Sequence, residues 1–167
     1  MRESNLSRNS ENNMTVVDKF ISEAKGLFEN QSAGYKYVGL YNQIRSSSQD
    51  FSVQSGLIIS NENFDYLAAY LTVMSFADAE PTVFLSAEYG QLESEYFKRK
   101  DSPNGHVDIC VIVGEISTLT SSIIDLNVSD EDAVQEVTDR YLGLVTKFTA
   151  IADLVLVTNF PMAKTVF

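Results

Sequence analysis

The chain has 167 residues, 44% of them hydrophobic, and a net charge of −11. This length fits one domain with a sizeable core, and the apolar fraction excludes wholesale disorder. The single cysteine excludes an internal disulfide and a thiolate zinc site. The sequence lacks the run of about 18 apolar residues that a membrane span needs, and residues 1–13 lack the apolar core of a secretory signal. We therefore expect a cytoplasmic protein with no membrane partner.

The charge is unevenly distributed along the chain. Residues 46–139 carry 17 acidic and three basic side chains, whereas residues 1–45 have a net charge of +1 and residues 140–167 of +2. The three basic side chains are consecutive, at 98–100. Because a region so poor in Lys and Arg repels a phosphate backbone, we expect no nucleic-acid binding.

The first predicted helix follows a polar tail. Residues 1–13 are rich in Ser and Asn and predict a disordered tail ahead of a single domain over residues 14–167. Thr15, with Asp18 three residues later, predicts a capped helix that ends near Asn30.

The next stretch, residues 35–44, is ambiguous. Its tyrosines alternate from Tyr35 to Tyr41, which favours a strand or an irregular segment, although Val38, Tyr41 and Ile44 also fit a helix. A strand is predicted over residues 51–60, which contain the run Leu57-Ile58-Ile59.

A second helix is predicted from Glu62 to about Ala77, with Ser60 or Asn61 as its cap. Its residues are apolar almost all round, which is typical of a helix buried between layers or at a subunit contact. Pro81 ends it, and residues 82–86 predict a strand.

A hairpin is predicted next. Residues 88–100 indicate a strand, because Tyr96 and Phe97 precede the turn residues 101–105. Asn104-Gly105 is a strong reversal signal, so we expect residues 107–115 to return antiparallel. A further strand is predicted around Ile123 to Leu126.

The last predicted helix starts at about Asp130, with Ser129 as its cap. An apolar stripe with 3-4 spacing continues through Leu144 and Phe148 to Ile151, which predicts a helix packed on its own sheet. The same spacing fits a heptad seam, so a helix at a homodimer contact is the alternative. Residues 153–160 prolong this helix or form a short edge strand.

This order of elements predicts an α+β fold. We expect a mostly antiparallel sheet with an N-terminal helix, a buried middle helix and a long C-terminal helix.

The chain holds few groups for catalysis. His106, Asp108 and Cys110 would share one face of an extended strand, so a His106–Asp108 dyad is conceivable. A solvated strand-start histidine and a small core cysteine explain the same residues more simply. Asp108 and Glu115 are seven residues apart, which places them on opposite faces and disfavours a paired-carboxylate site.

The sequence also lacks the motifs that hold cofactors. No glycine-rich phosphate loop and no calcium-loop pattern occurs. The acidic run at 130–132 could hold a hard cation loosely, but negative charge at a helix start explains it better. We therefore predict no metal, no cofactor and no catalytic residue.

These observations favour a non-catalytic acidic protein-binding module that engages a basic partner protein. Its acidity and size are similar to those of bacterial inhibitor or immunity proteins and of small acidic secretion chaperones, with no shared motif. The residues predicted to contact the partner are Glu88, Glu93, Glu95, Asp130, Glu131 and Asp132. The alternative is a small carboxylate-based enzyme or a ligand-binding domain.

Overall fold

The computed structural model describes residues 15–60, 63–88, 91–114 and 130–159. Its elements are α1 (Val16–Glu29), α2 (Gly34–Ser47), β1 (Gln54–Ser60), α3 (Asp65–Ala77), β2 (Thr82–Ser86), α4 (Leu92–Lys100), β3 (Val107–Gly114), α5 (Asp130–Thr149) and β4 (Ala152–Asn159). A 3-10 turn (Ser48–Asp50) joins α2 to β1. The predicted tail, the Ser129 cap and the predicted strand around Ile123 lie outside the described residues.

Within the described ranges, the strands form one parallel sheet in the order β2-β1-β3-β4. The predicted α+β fold with a mostly antiparallel sheet is therefore wrong, and the architecture is α/β. The central strands show the physical reason. Residues 57–59 of β1 and 110–113 of β3 are buried on both faces, as in parallel strands that lie between two helical layers.

The predicted hairpin is replaced by a helix and its connection to β3. Residues 92–100 form α4 instead of a strand, and the turn after it leads into β3. A Cβ atom at Gly105 would collide with the carbonyl oxygen of Arg99, so glycine lets the chain pass close to the helix end. The reversal signal in this turn thus marks a helix-to-strand connection.

Residues 34–47 form α2, so the strand expected at residues 35–44 is also wrong. Leu40, Tyr41 and Ile44 are buried on one side of this helix, whereas Tyr35 is exposed. The alternating tyrosines imitated a strand, and the 3-4 spacing of the buried residues was the better signal.

Helices cover both faces of the sheet. Ala68 of α3 packs with Ile58 on one face. Leu144 and Phe148 of α5 pack with Leu57 on the other face. Neighbouring residues of β1 therefore point into different layers, as the pleat of a strand requires.

The middle helix α3 lies between the sheet, which Ala68 contacts, and α1 and α2, which pack against Val73 and Phe76. α3 starts at Asp65, whose N–H donates to Asn63 Oδ1 at 2.9 Å, whereas Ser60, a predicted cap, is the last residue of β1. Phe76 is fully buried, but Tyr66 is 77% exposed. The helix thus lies between layers, and its apolar residues at Tyr66 and Tyr70 are exposed.

The long helix α5 is not the last described element. α5 runs for 20 residues, and β4 follows after a short turn. Ile151 and Ala152 belong to the predicted apolar stripe and are buried with Phe148, but they lie in the turn and in β4. The expected C-terminal helix is therefore wrong as the last element. Neither α5 nor any other helix in the described ranges is long and apolar enough to cross a membrane.

The first helix is confirmed together with its cap. Thr15 Oγ1 accepts from the N–H of Asp18 at 3.1 Å, and Asp18 Oδ2 accepts from the N–H of Thr15 at 3.0 Å. The Thr15 hydroxyl also donates to Asp18 Oδ2 at 2.7 Å, and this bond, together with the bond from the Thr15 N–H, holds the pKa of Asp18 below its usual value. Both signals are local in sequence, which is why the pattern was sufficient to predict them.

Candidate functional site

The three residues that could have supported catalysis have separate partners. His106 Nε2 lies 2.9 Å from Asp153 Oδ1, and both side chains are largely exposed. Cys110 is buried in the sheet, and this burial raises the pKa of its thiol to about 12. A thiol with so high a pKa stays protonated at neutral pH and is a poor nucleophile. The structure therefore does not assemble a His106–Asp108 dyad.

Asp108 links the starts of two neighbouring strands. Its Oδ2 accepts from the backbone N–H of Ser55 at 2.6 Å and from the Ser55 hydroxyl at 2.8 Å. These bonds to the charged form hold the pKa of Asp108 below its usual value. The carboxylate thus has a structural role that requires the register of β1 on β3, which spacing in the sequence does not reveal.

A shallow cleft of about 620 Å³ lies beside this link. Glu80 and Pro81, which precede β2, line it together with Asp108 and residues 52–54. It lies at the amino ends of the strands, whereas ligands of open parallel sheets bind at the carboxyl ends. We therefore do not assign a ligand to it.

Two of the predicted contact residues near α4 are exposed and paired within the chain. Lys98 Nζ lies 3.5 Å from Glu88 Oε2, and Lys147 Nζ lies 2.8 Å from Glu93 Oε1. The hydrogen bond from Lys147 is the main cause that lowers the pKa of Glu93. Both carboxylates face solvent as predicted, but each already has a basic neighbour.

Glu95 lies on the inner side of α4. The residue is 8% exposed, and its Oε1 accepts from Arg99 Nε at 2.8 Å. The expectation that Glu95 faces solvent is therefore wrong. The sequence predicts a strand here, and only a helix brings Glu95 and Arg99, with their i,i+4 spacing, together as an ion pair.

The start of α5 is the most acidic part of the described surface. Residues 130–139 contain five carboxylates and no basic side chain. Four of these residues are exposed, namely Glu131, Asp132, Glu136 and Asp139. Asp130 opens the helix, but its side chain lies outside the described part. We call the four exposed residues the α5 acidic surface.

The α5 acidic surface includes two residues that the sequence analysis did not select. Glu136 and Asp139 lie one and two turns beyond the predicted trio at 130–132, on the same helix. Counting carboxylates over the first three turns, instead of only at the cap, would have found them. Among the described residues, no three His, Cys, Asp or Glu side chains are grouped closely enough to hold a metal ion.

The carboxyl ends of β1 and β3 form a second location of interest. β2 lies beside β1 on one side, and β4 lies beside β3 on the other. The chain therefore leaves β1 and β3 in opposite directions, with α3 on one face and α5 on the other. In open parallel sheets, ligands bind beyond the ends of the two strands at such a change of direction, here Ser60 and Gly114.

Comparisons of the chain with protein-family models, with curated proteins and with solved structures find no match. Function must therefore be argued from the charges, contacts and topology of the chain itself.

Proposed function

We propose that the chain is a non-catalytic acidic module that engages a basic partner protein through the α5 acidic surface. The observation that carries this proposal is the set of five carboxylates, with no basic residue, over the first ten residues of α5. Because the lone cysteine is a free, buried thiol, we place the module in the cytoplasm.

The charge of the molecule supports an electrostatic mode of recognition. Residues 46–139 carry 17 acidic and three basic side chains, and Lys98 and Arg99 are paired with glutamates of their own helix. The resulting negative field attracts a basic surface and speeds its diffusional encounter. Salt screens this field over about 10 Å at 0.1 M ionic strength, so association should be salt-dependent.

The α5 acidic surface suits such an encounter better than the α4 carboxylates. Glu93 and Glu95 lie against Lys147 and Arg99, and a partner would have to displace those bases. Glu131 and Glu136 are exposed on the first turns of α5. We therefore confine the partner-binding site to the α5 acidic surface, with Glu88 and Glu93 at its margin.

The test is a charge reversal with a control that matches its charge. The immobilised parent should capture a basic protein from native lysate at low salt. The triple variant Glu131→Lys, Asp132→Lys, Glu136→Lys should not capture it. The control Glu29→Lys, Asp50→Lys, Asp78→Lys changes the net charge equally, at exposed residues elsewhere in the fold. It should retain that protein.

Kinetics with the retained protein complete the test. We expect the α5 triple to slow its association at least about tenfold, and the parent to slow similarly between about 50 and 500 mM salt. Equal losses from both triples would show that only net charge matters. An on-rate indifferent to salt and to the α5 triple would overturn the proposal.

The topology favours one further function, which is binding of a small ligand. Doubly wound sheets bind ligands at the carboxyl ends of the strands where the strand order reverses, which here are β1 and β3. Thermal-shift screening with nucleotides, amino acids and sugars separates the two functions. A ligand present at about 100 times its dissociation constant adds roughly 2.7 kcal/mol to the stability. Such a shift, retained by the α5 triple variant, would favour a ligand-binding domain.

A further inference from the structure

The outer edge of β4 carries backbone groups that point away from the sheet. The carbonyl of Ile151 accepts from the N–H of Val107 at 2.9 Å, which fixes the phase of the β3–β4 ladder. The backbone groups of successive residues point to alternate sides of a strand. Since Ile151 points towards β3, the N–H and C=O groups of Leu154, Leu156 and Thr158 point outward. β4 is the last strand in the order, and no described strand pairs with these groups.

Apolar side chains flank this edge on both faces of the sheet. Leu154 and Leu156 are 48% and 45% exposed on the α3 face, and Val157 is 42% exposed on the α5 face. Leu142 of α5 is 56% exposed. It lies about 140° around the helix from Lys147, which contacts α4, so Leu142 is on the flank nearer β4. We call these four residues with the outer edge of β4 the β4 edge surface.

The β4 edge surface is nearly free of charge in a strongly acidic molecule. Residues 152–159 contain one charged residue, Asp153, and neither lysine nor proline. Charged residues, prolines and bulges are the devices that keep exposed sheet edges from pairing. Apart from Asp153, which lies beside His106, this edge has no such protection.

We propose that the β4 edge surface binds a second copy of this chain. The two β4 strands pair antiparallel about a two-fold axis at Leu156, and the two sheets join into one continuous sheet. Leu156 then pairs with its own copy, and Leu154 pairs with Thr158 of the other copy. Each outward N–H and C=O of these residues gains a partner, in hydrogen-bonded pairs of an antiparallel ladder.

Charge restricts where a second copy can approach. Two chains of net charge −11 repel each other over most of their surfaces. The β4 edge surface is where they can approach with little repulsion. An axis at Leu156 leaves the two Asp153 residues six residues apart along the ladder, or about 20 Å. A two-fold axis also makes the apolar strip complementary to itself, since every contact occurs twice.

The size of the surface predicts a dimer of modest affinity. The surface offers only four half-exposed side chains and one strand edge, which is small beside specific interfaces that bury roughly 1,200 to 2,000 Å² in total. We therefore expect a dissociation constant on the order of ten micromolar. The α5 acidic surface precedes Leu142 on the same helix, and Asp139 lies within one turn of Leu142.

Sedimentation equilibrium of the full chain tests the dimer. The mass should rise from 18.6 kDa towards twice this value between about 1 and 100 µM. Leu156→Lys should remain a monomer across this range. Tyr66→Lys introduces the same charge at an exposed residue of α3 and should dimerise like the parent.

Cysteine variants test the register. Hydrogen-bonded antiparallel pairs have Cα atoms about 5.5 Å apart, so Leu156→Cys should form a disulfide with its copy under mild oxidation. Leu154→Cys should not, because its copy lies four residues along the ladder, about 14 Å away. Cys110 is buried and should stay unreacted.

Three results would overturn the proposal. The first is a parent that stays at 18.6 kDa up to about 100 µM. The second is a disulfide from Leu154→Cys and none from Leu156→Cys. The third is a monomeric parent in which Leu156→Lys lowers the melting temperature by more than about 4 °C. That last result would mean that the chain covers this edge itself.

Discussion

The two edges of the sheet differ in whether side chains bond to their outward backbone groups. At the β2 edge, the N–H of Phe84 donates to Thr72 Oγ1 at 2.9 Å, and the N–H of Thr82 donates to Ser75 Oγ at 3.1 Å. The Tyr41 hydroxyl donates to the carbonyl of Phe84 at 3.1 Å. The β2 edge is thus closed by side chains of α2 and α3. At the β4 edge, the described residues leave the outward groups of Leu154 and Leu156 without such a cover.

The difference explains what the two N-terminal helices contribute. α1 and α2 pack against α3, and Phe20, Ile44 and Phe76 form a buried cluster beside β2. This layer excludes water from the β2 edge, so each polar group there needs an internal partner. The β4 edge has the opposite property, because groups that face solvent can be exchanged for a partner chain. One edge contributes to folding, and we propose that the other contributes to association.

The largest contrast in stability should lie between two leucines of α5. Leu144 is 5% exposed in the core beneath the sheet, whereas Leu142 is 56% exposed near the β4 edge. Leu144→Asp buries an unpaired charge and should cost more than about 4 kcal/mol, which is enough to unfold a marginal domain. Leu142→Asp should cost less than about 0.5 kcal/mol. Urea denaturation measures both costs, and equal values would contradict the burial of Leu144 and the exposure of Leu142.

Opening the β2 edge should have an intermediate effect. Thr72→Val keeps the shape of the side chain but leaves the buried N–H of Phe84 unpaired. We expect a loss of roughly 1 to 3 kcal/mol. Thr146→Val is the matched control, because Thr146 is exposed on α5, and it should stay within about 0.5 kcal/mol of the parent. If both variants lose the same unfolding free energy, the hydroxyl of Thr72 does not close this edge.

The link between β1 and β3 should be visible in acid. Bonds from Ser55 lower the pKa of Asp108 in the folded chain from the usual 3.8. The stability that Asp108 contributes is therefore complete above pH 3.8 and is lost as the pH falls through its lowered pKa. Asp108→Asn should flatten the pH dependence of the unfolding free energy below that value and cost about 1 kcal/mol at pH 7. If Asp108→Asn leaves the pH dependence of the unfolding free energy in acid unchanged, Asp108 does not have this role. Asp101→Asn, at an exposed turn residue, is the control.

The smallest effect on stability should come from the β4 edge. Leu156→Lys changes a half-exposed residue and should alter the unfolding free energy of the monomer by less than about 0.5 kcal/mol. Its consequence should be confined to association. Denaturation at about 1 µM, where the monomer dominates, separates the two quantities.

Features that depend on near neighbours could be predicted from the sequence. The cap of α1 needs only Thr15 and Asp18, and β1 contains the run Leu57-Ile58-Ile59 that predicted it. The direction of the strands could not be predicted in this way. Whether β3 runs parallel to β1 depends on the path of the chain through α4, and residues 88–100 were taken for a strand.

The candidate site shows the same division. The concentration of carboxylates at 130–132 is a property of composition and could be located before the fold was seen. The burial of Glu95 and the pairing of Glu93 with Lys147 depend on how α4 packs against α5. The open edge at Leu154 and Leu156 depends on β4 being the last strand of the sheet, and an alternating apolar segment does not reveal its place in the order.

Hydrogen exchange at two protein concentrations tests the contrast between the edges most directly. At about 1 µM the outward amides of Leu154, Leu156 and Thr158 should exchange rapidly, and at about 200 µM they should be protected by the second copy. The amides of Thr82 and Phe84 should be protected at both concentrations, because Ser75 and Thr72 accept from them within the monomer. Protection of the β4 amides that is already complete at the lower concentration would contradict the account. So would rapid exchange at the β2 edge.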